Sequence, residues 1–274
     1  MNRAISLALV GLVIALPRWA SARVPDPPEP RQPKLSLWQS SRATPFASVA
    51  TDLGFIYFRP RMTLGYGAPF WSFVGLDAYW MTTNSFTAPY LGWRASLPFL
   101  DAMIGARRTI PFNRRFLPKS DSHLGDDIEL REGDIRSAYN AIDFEVAGYA
   151  PIAHGTLFLS VHPVWVDAPN DVQLYEEVLR AVIDPPFALG LRSGWLYGFG
   201  EQQALKVGGM LEYVALPGRP AGVWRSGPVV LMTFSKTLEG LFAFSVVLSS
   251  PDELGIFHGT YAFLGILHRF ARRF

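Results

Sequence analysis

The chain has 274 residues and no cysteine, enough length for one large domain and no material for a disulfide scaffold, a thiolate metal site or a cysteine nucleophile. Its formal charge is +2, and setting aside Arg3 and Arg18 near the N-terminus leaves it neutral, which argues against nucleic acid as a partner. Charged residues are only 18% and hydrophobic ones 49%, against about 25% charged in ordinary soluble domains. Yet beyond the first residues no apolar run approaches the about 20 residues of a membrane-spanning helix; LFAFSVVL at 241–248 is among the longest. A chain this apolar without such a helix is either a β-rich soluble core or a β-barrel in a membrane.

The N-terminus reads as an export signal over 1–22. A short positive start through Arg3 leads into an apolar run from Ala4 to Leu16, then Pro17 breaks it and Ala20-Ser21-Ala22 offers a small-residue cleavage site. No cysteine follows, so a lipid anchor is excluded. Residues 24–33, VPDPPEPRQP, hold five prolines in ten, which suits an extended linker and neither helix nor central strand. The expected organisation is a signal over 1–22, a proline-rich periplasmic linker over 23–50 and a barrel over 51–274.

From about Leu53 onward the dominant pattern is alternation with period two. Ile56, Phe58, Met62, Leu64 and Tyr66 alternate with Tyr57, Arg59, Arg61 and Thr63, and Ile142, Phe144 and Val146 alternate with Asp143 and Glu145. The second faces are rich in Gly, Ala, Ser and charges, and the apolar faces often end in aromatics such as Trp80, Trp93, Tyr197 and Phe199. Predicted strands cover 53–66, 70–82, 86–97, 135–150, 154–166, 186–199, 202–216, 226–237, 239–250 and 256–272. The segment 100–110 also alternates and predicts an eleventh strand, which requires a twelfth near 42–50 for even closure. Long connections (111–134, 167–185, 217–225) alternate with short ones (151–153, 200–201, 238), as in bacterial barrels with short periplasmic turns and long outer loops. Leu174, Val178, Leu179 and Val182 fall at helical spacing, which predicts a short helix over 171–183 inside one long loop. The expected fold is all-β: a closed antiparallel up-and-down transmembrane β-barrel of about ten to twelve strands with one short helix in a long loop.

The last strand carries a resemblance. Phe274, Phe270, Ile266 and Leu264 share one face of LGILHRFARRF, which resembles the terminal strand of Gram-negative outer-membrane β-barrel proteins. That likeness implies that Phe270 and Phe274 are read by the barrel-assembly machinery during biogenesis, and that lipid and lipopolysaccharide surround the folded chain in the outer membrane. Arg272 and His268 depart from the apolar pattern on that face and are expected near a membrane interface, where a charge is cheapest.

Motifs for nucleotides, cofactors and acyl transfer are absent: Gly65-Tyr66-Gly67 and Gly198-Phe199-Gly200 lack a third glycine, so no cofactor is expected. With apolar faces toward lipid, Arg59, Arg61, Asp77, Arg94, Asp143, Glu145, Arg192, Lys206, Glu212 and Arg269 point inward. Both signs are present, which predicts a salt-bridged, largely side-chain-filled interior rather than a ring of one sign that selects ions. Ser160 and His162, with Glu145 or Asp143 on the preceding strand, are the parts of a nucleophilic hydrolase, and some outer-membrane barrels are lipid hydrolases. Their i, i+2 spacing of about 6–7 Å between Cα atoms is loose for a direct Ser–His bond, and polar lining is the simpler role. Asp121, Asp126 and Asp127, in the acidic loop that continues to Glu132 and Asp134, are candidate Ca²⁺ ligands, though short acidic runs are usually just solvated. The leading expectation is a non-enzymatic outer-membrane barrel with a structural or narrow-passage role. The alternatives are a barrel hydrolase acting on lipid or ester, and a soluble exported barrel with its apolar faces turned inward around a ligand.

Overall fold

In the computed structural model, residues 43–54, 57–112, 115–129, 138–169, 171–200, 203–235 and 237–274 are described. The expected signal over 1–22, the prolines of 24–33, and Glu132 and Asp134 lie outside them. Twelve strands form a closed barrel: β1 (Thr44–Gly54), β2 (Tyr57–Ala68), β3 (Ser72–Thr83), β4 (Phe86–Leu97), β5 (Leu100–Pro111), β7 (Tyr139–Ile152), β8 (Gly155–Asp167), β11 (Phe187–Phe199), β12 (Leu205–Ala215), β13 (Val223–Thr233), β14 (Leu238–Ser249) and β15 (Tyr261–Arg273). Three further strands, β6 (Phe116–Pro118), β9 (Val172–Glu176) and β10 (Ala181–Ile183), make a small separate sheet in the order β10-β9-β6. The wall is antiparallel throughout and each wall strand pairs with the next wall strand along the chain. No helix among the described residues is long and apolar enough to cross a membrane.

Both conditional strands, at 100–110 and near 42–50, are present, and even closure follows. The wall begins at Thr44, so residues 44–50, assigned to the linker by composition, are strand; Phe46, Ser48, Ala50 and Asp52 alternate on its buried face. Closure runs along β1 and β15, from Phe46 opposite Arg273 to Gly54 opposite Gly265. The Phe274 N–H donates to the Pro45 carbonyl at 3.0 Å, so the chain end is tied into the seam. Arg272 is the last-but-one strand residue, and His268 lies opposite Thr51 on one side and Leu238, the first residue of β14, on the other.

Alternation decides the faces. Leu53, Phe58, Met62, Leu64, Leu91, Trp93, Ile104, Leu211 and Leu264 are exposed on the outside of the wall, while Asp52, Thr63, Asp77, Arg107, Asp143 and Glu212 are buried on the other face. A soluble barrel around an apolar ligand requires the reverse arrangement. Glycine makes room on the inner face. Gly92 and Gly105 sit opposite each other, and the Tyr90 ring lies across both, its hydroxyl 2.3 Å from where a Cβ on Gly92 would stand. Tyr90 stacks there on Tyr79 with ring centroids 4.4 Å apart.

The connections 112–138, 168–186, 216–222 and 250–260 all leave the wall at one end, opposite the end that holds Thr44 and Arg273; the other end has turns such as 98–99 and 153–154. The expected helix over 171–183 is instead a hairpin of β9 and β10 around a turn at 177–180. The reason is local. The Glu176 carboxylate accepts the N–H groups of Val178 and Leu179 at 2.9 and 2.6 Å, which closes a turn and competes with a helix. Short helices lie elsewhere in long connections: α1 (Gly125–Glu129) and α2 (Gly255–Gly259). The hairpin folds inside the barrel mouth. Leu174, Leu179, Ala181 and Ile183 pack against the inward residues Tyr139, Ala141, Val164, Val166, Ala188, Val214 and Val223 of the wall. On its other side Tyr175 and Val182 pack with Leu117, Ile128 and Leu254, so three long connections interlock.

Candidate functional site: the charged interior

Cross-strand register brings most of the inward charges into pairs. On β2 to β5, Arg59 donates to Asp52 at 2.7 Å. Asp77 accepts from Thr63, directly opposite it, at 2.7 Å. Arg61 and Arg94 approach the same carboxylate at 3.6 and 3.9 Å, and Arg94 also pairs with Asp101 at 3.0 Å. The guanidinium carbons of Arg59 and Arg61 lie 5.6 and 5.8 Å from the Tyr79 ring centroid, within cation–π range. Arg192 and Glu212 are opposite one another on β11 and β12 and bond at 2.8 Å. Arg269 pairs with Glu239 at 2.6 Å, and Lys206 donates to Thr156 at 3.3 Å.

A second set of contacts joins the wall to the inserted hairpin. Arg107 of β5 donates to Asp143 on β7 and Glu176 on β9, each at 2.7 Å, with all three side chains buried. The Tyr139 hydroxyl donates to Glu176 at 3.1 Å. Arg225 of β13 donates to the carbonyls of Leu179, Arg180 and Gly259 at 3.0, 2.7 and 2.8 Å and reaches Glu212 at 3.4 Å. Arg115 pairs with Glu177 at 2.5 Å beneath the Tyr175 ring, 5.2 Å from its centroid. Burial raises the Glu177 carboxyl above its ordinary value, against the opposing pull of Arg115. At the outer end Arg219 donates to Asp252, whose carboxylate also accepts the His123 N–H at 3.0 Å; burial raises Asp252 as well.

The interior is not solid. A cavity of about 240 Å³ lies against the inner side of the hairpin, lined by Arg59, Tyr79, Asp143, Glu145, His162 and Arg192 among others. Ser160 and His162 both line it, but they belong to separate pairs. The Ser160 hydroxyl donates to Glu145 at 3.0 Å, and His162 Nε2 stands 3.4 Å from Asp143. The serine proton thus points at a carboxylate rather than at imidazole. Of the acidic loop candidates, Asp127 accepts the Leu124 N–H at 2.8 Å and lies 3.7 Å from His123, which fastens the start of α1. Among the described residues no three metal-binding side chains converge. Phe270 on β15 and Phe274 just past its end are both exposed.

Alternation placed a charge on a face but not beside a partner, and several partners were missed. Asp52 and Arg225 lie just outside the predicted strand ends, at 53 and 226. Arg107 shares a face with Asp101, Met103 and Gly105, opposite Ala102, Ile104 and Ala106, in the segment 100–110, so its place on the inner face is readable there. Arg115, Glu176, Glu177, Arg219 and Asp252 sit on connections, where no periodic signal marks a side chain that turns back into the barrel.

No family model and no curated protein matches the chain. Solved structures do match in outline. The KdgM porin aligns at 9% identity and a TM-score of 0.44 over 82% of this chain and 99% of that one. An outer membrane channel from Pseudomonas putida F1 aligns at 8% identity and 0.41, over 87% and 98%. An outer membrane protein of Acinetobacter baumannii aligns at 11% and 0.40, over 85% and 99%.

Proposed function

We propose that the chain is an integral outer-membrane barrel enclosing a narrow passage, braced by inward ion pairs and largely stopped at its long-loop end by its own hairpin. The division of the wall into two faces carries this reading. Leu91 and Trp93 stand outward at 61% and 58% exposure, while Asp77 and Asp143 on the same wall are buried and paired. Water penalises such an exterior at roughly 25 cal/mol per Å² of apolar surface, whereas a bilayer accepts it and demands a closed sheet without free edges. Lipid and the acyl part of lipopolysaccharide are then its surroundings, and the terminal Phe270 and Phe274 are the features offered to assembly machinery.

Within that reading, the mixed interior favours bracing over selection by charge. Each wall-to-wall pair joins strands that are neighbours or next-neighbours, and the cavity of about 240 Å³ leaves room for water and small solutes only. Separation of Ser160–Glu145 from His162–Asp143 supports polar lining rather than hydrolysis. The test is extraction followed by reconstitution. The protein without its first 22 residues should require detergent to leave the membrane fraction, and in planar bilayers it should carry a small current. Stable solution without detergent would sink the membrane reading; a folded barrel that carries no current would leave only the structural role.

A further inference from the structure

Resting on the passage reading, we infer that the Arg180 side chain closes what the hairpin leaves open of the passage. Two cavities approach each other across the hairpin tip. The inner one, of about 240 Å³, reaches Val178, Leu179 and Arg180 from below. The outer one, of about 340 Å³, lies between the tops of β13 and β14 and the 250–260 connection, and is lined by Arg180, Arg225, Val247, Asp252 and Ile256. Among their lining residues Arg180 alone belongs to both.

The backbone at this point is pinned. Arg225 holds the carbonyls of Leu179 and Arg180, and Glu176 holds the N–H groups of Val178 and Leu179. Arg180 itself is in the left-handed region at φ 51°, a conformation that a non-glycine residue keeps only when its surroundings enforce it. The side chain is held far less firmly. Its guanidinium donates to the Phe257 carbonyl on the opposite connection, and its buried Nε has no hydrogen-bond partner. A long cationic side chain thus spans from a fixed turn to a neighbouring loop between two voids, tied by one end. Swinging it away joins the voids without moving the hairpin. The unpartnered Nε gives a passing carboxylate or phosphate oxygen a donor to exchange for the Phe257 carbonyl, so small anions are the solutes it should release most readily.

The experiment uses the full barrel in planar bilayers. Wild type is compared with Arg180→Ala, Arg180→Lys and Arg180→Cys, the last before and after reaction with aminoethyl methanethiosulfonate, which restores a positive side chain. The chain has no native cysteine, so the reagent acts at one place. Arg180→Ala and unreacted Arg180→Cys should conduct roughly threefold or more above wild type, and Arg180→Lys and reacted Arg180→Cys should return to near wild type. Change and reversal within a single folded channel excludes misfolding as the cause. If wild type conducts and Arg180→Ala conducts equally, the barrier lies elsewhere and the passage stands. If none of the proteins conducts, the passage reading falls and the gate with it.

Discussion

The barrel wall and the hairpin it encloses are both β-structure, yet they hide their side chains by different rules. Each wall strand has one face outward and one inward, so burial alternates, as in β1 and β12. The hairpin has no outer face. From Gln173 to Glu176 and from Ala181 to Ile183 every residue is buried, because wall side chains cover one side and the 112–138 and 250–260 connections the other. Period two is a record of two different surroundings, and it vanishes where both surroundings are protein. The wall can therefore be built strand by strand, while the hairpin exists only once the wall and loops are in place around it.

The largest expected effect comes from cutting the tie between these regions. Arg107→Leu leaves Asp143 and Glu176 buried without their cation and should cost about 3–5 kcal/mol, read from the urea midpoint of the refolded protein. Arg59→Leu cuts a wall-to-wall pair whose arginine keeps some contact with solvent and should cost less, about 1–2 kcal/mol. Equal losses in the two variants would mean that the hairpin is not anchored through Arg107. Next in size is the outer face. Leu91→Arg, at mid-strand on β4, should cost about 2–4 kcal/mol in a bilayer; on a water-facing surface the same change falls within about 0.5 kcal/mol, so a null result breaks the membrane reading. Gly92→Val tests the inner face. A Cβ there meets the Tyr90 hydroxyl and the Ile104 carbonyl, and overpacking of this kind should cost about 1–3 kcal/mol, with loss of the Tyr79–Tyr90 stack visible in near-ultraviolet circular dichroism.

The smallest effect is with pH. Since burial raises the Glu177 carboxyl, the folded protein holds that proton more tightly than the unfolded chain, whose glutamates titrate near about 4.3. The contribution favours the docked hairpin in full below that value and is lost as pH rises through the raised one. Amide exchange of the 172–183 segment should therefore quicken slightly as pH climbs through this window, after correction for intrinsic exchange. Glu177→Gln should remove that trend. A trend of the same size in the variant would assign it to another group.

The same contrast explains what could be read in advance. Face, strand length and closure were legible because lipid-facing and inward residues alternate in plain view: 86–97 matches β4 end to end, and the conditional strands at 100–110 and 42–50 both belong to the wall. Pairing was less legible. Alternation sets Arg61 and Asp77 inward but cannot say that β2 and β3 bring them two positions apart on the same face. The helical spacing of Leu174, Val178, Leu179 and Val182 imitates a stripe, but Leu174 and Leu179 pack on one face of the hairpin and Val182 on the other, with Val178 only half-buried in the turn. Glu176, whose carboxylate shapes that turn and receives Arg107, looked like one more charge in a loop.

The seam between β1 and β15 also sets an order of events. Its partners, such as Phe46 and Arg273, lie more than two hundred positions apart along the chain, so the entropy of bringing them together is met at the last step. Until β15 has been made, β1 remains an open edge, able to pair with any other strand it meets. A chaperone or template that occupies β1 in that interval would protect the unfinished sheet, and release of β1 to the final strand would complete the cylinder in a single cooperative zip.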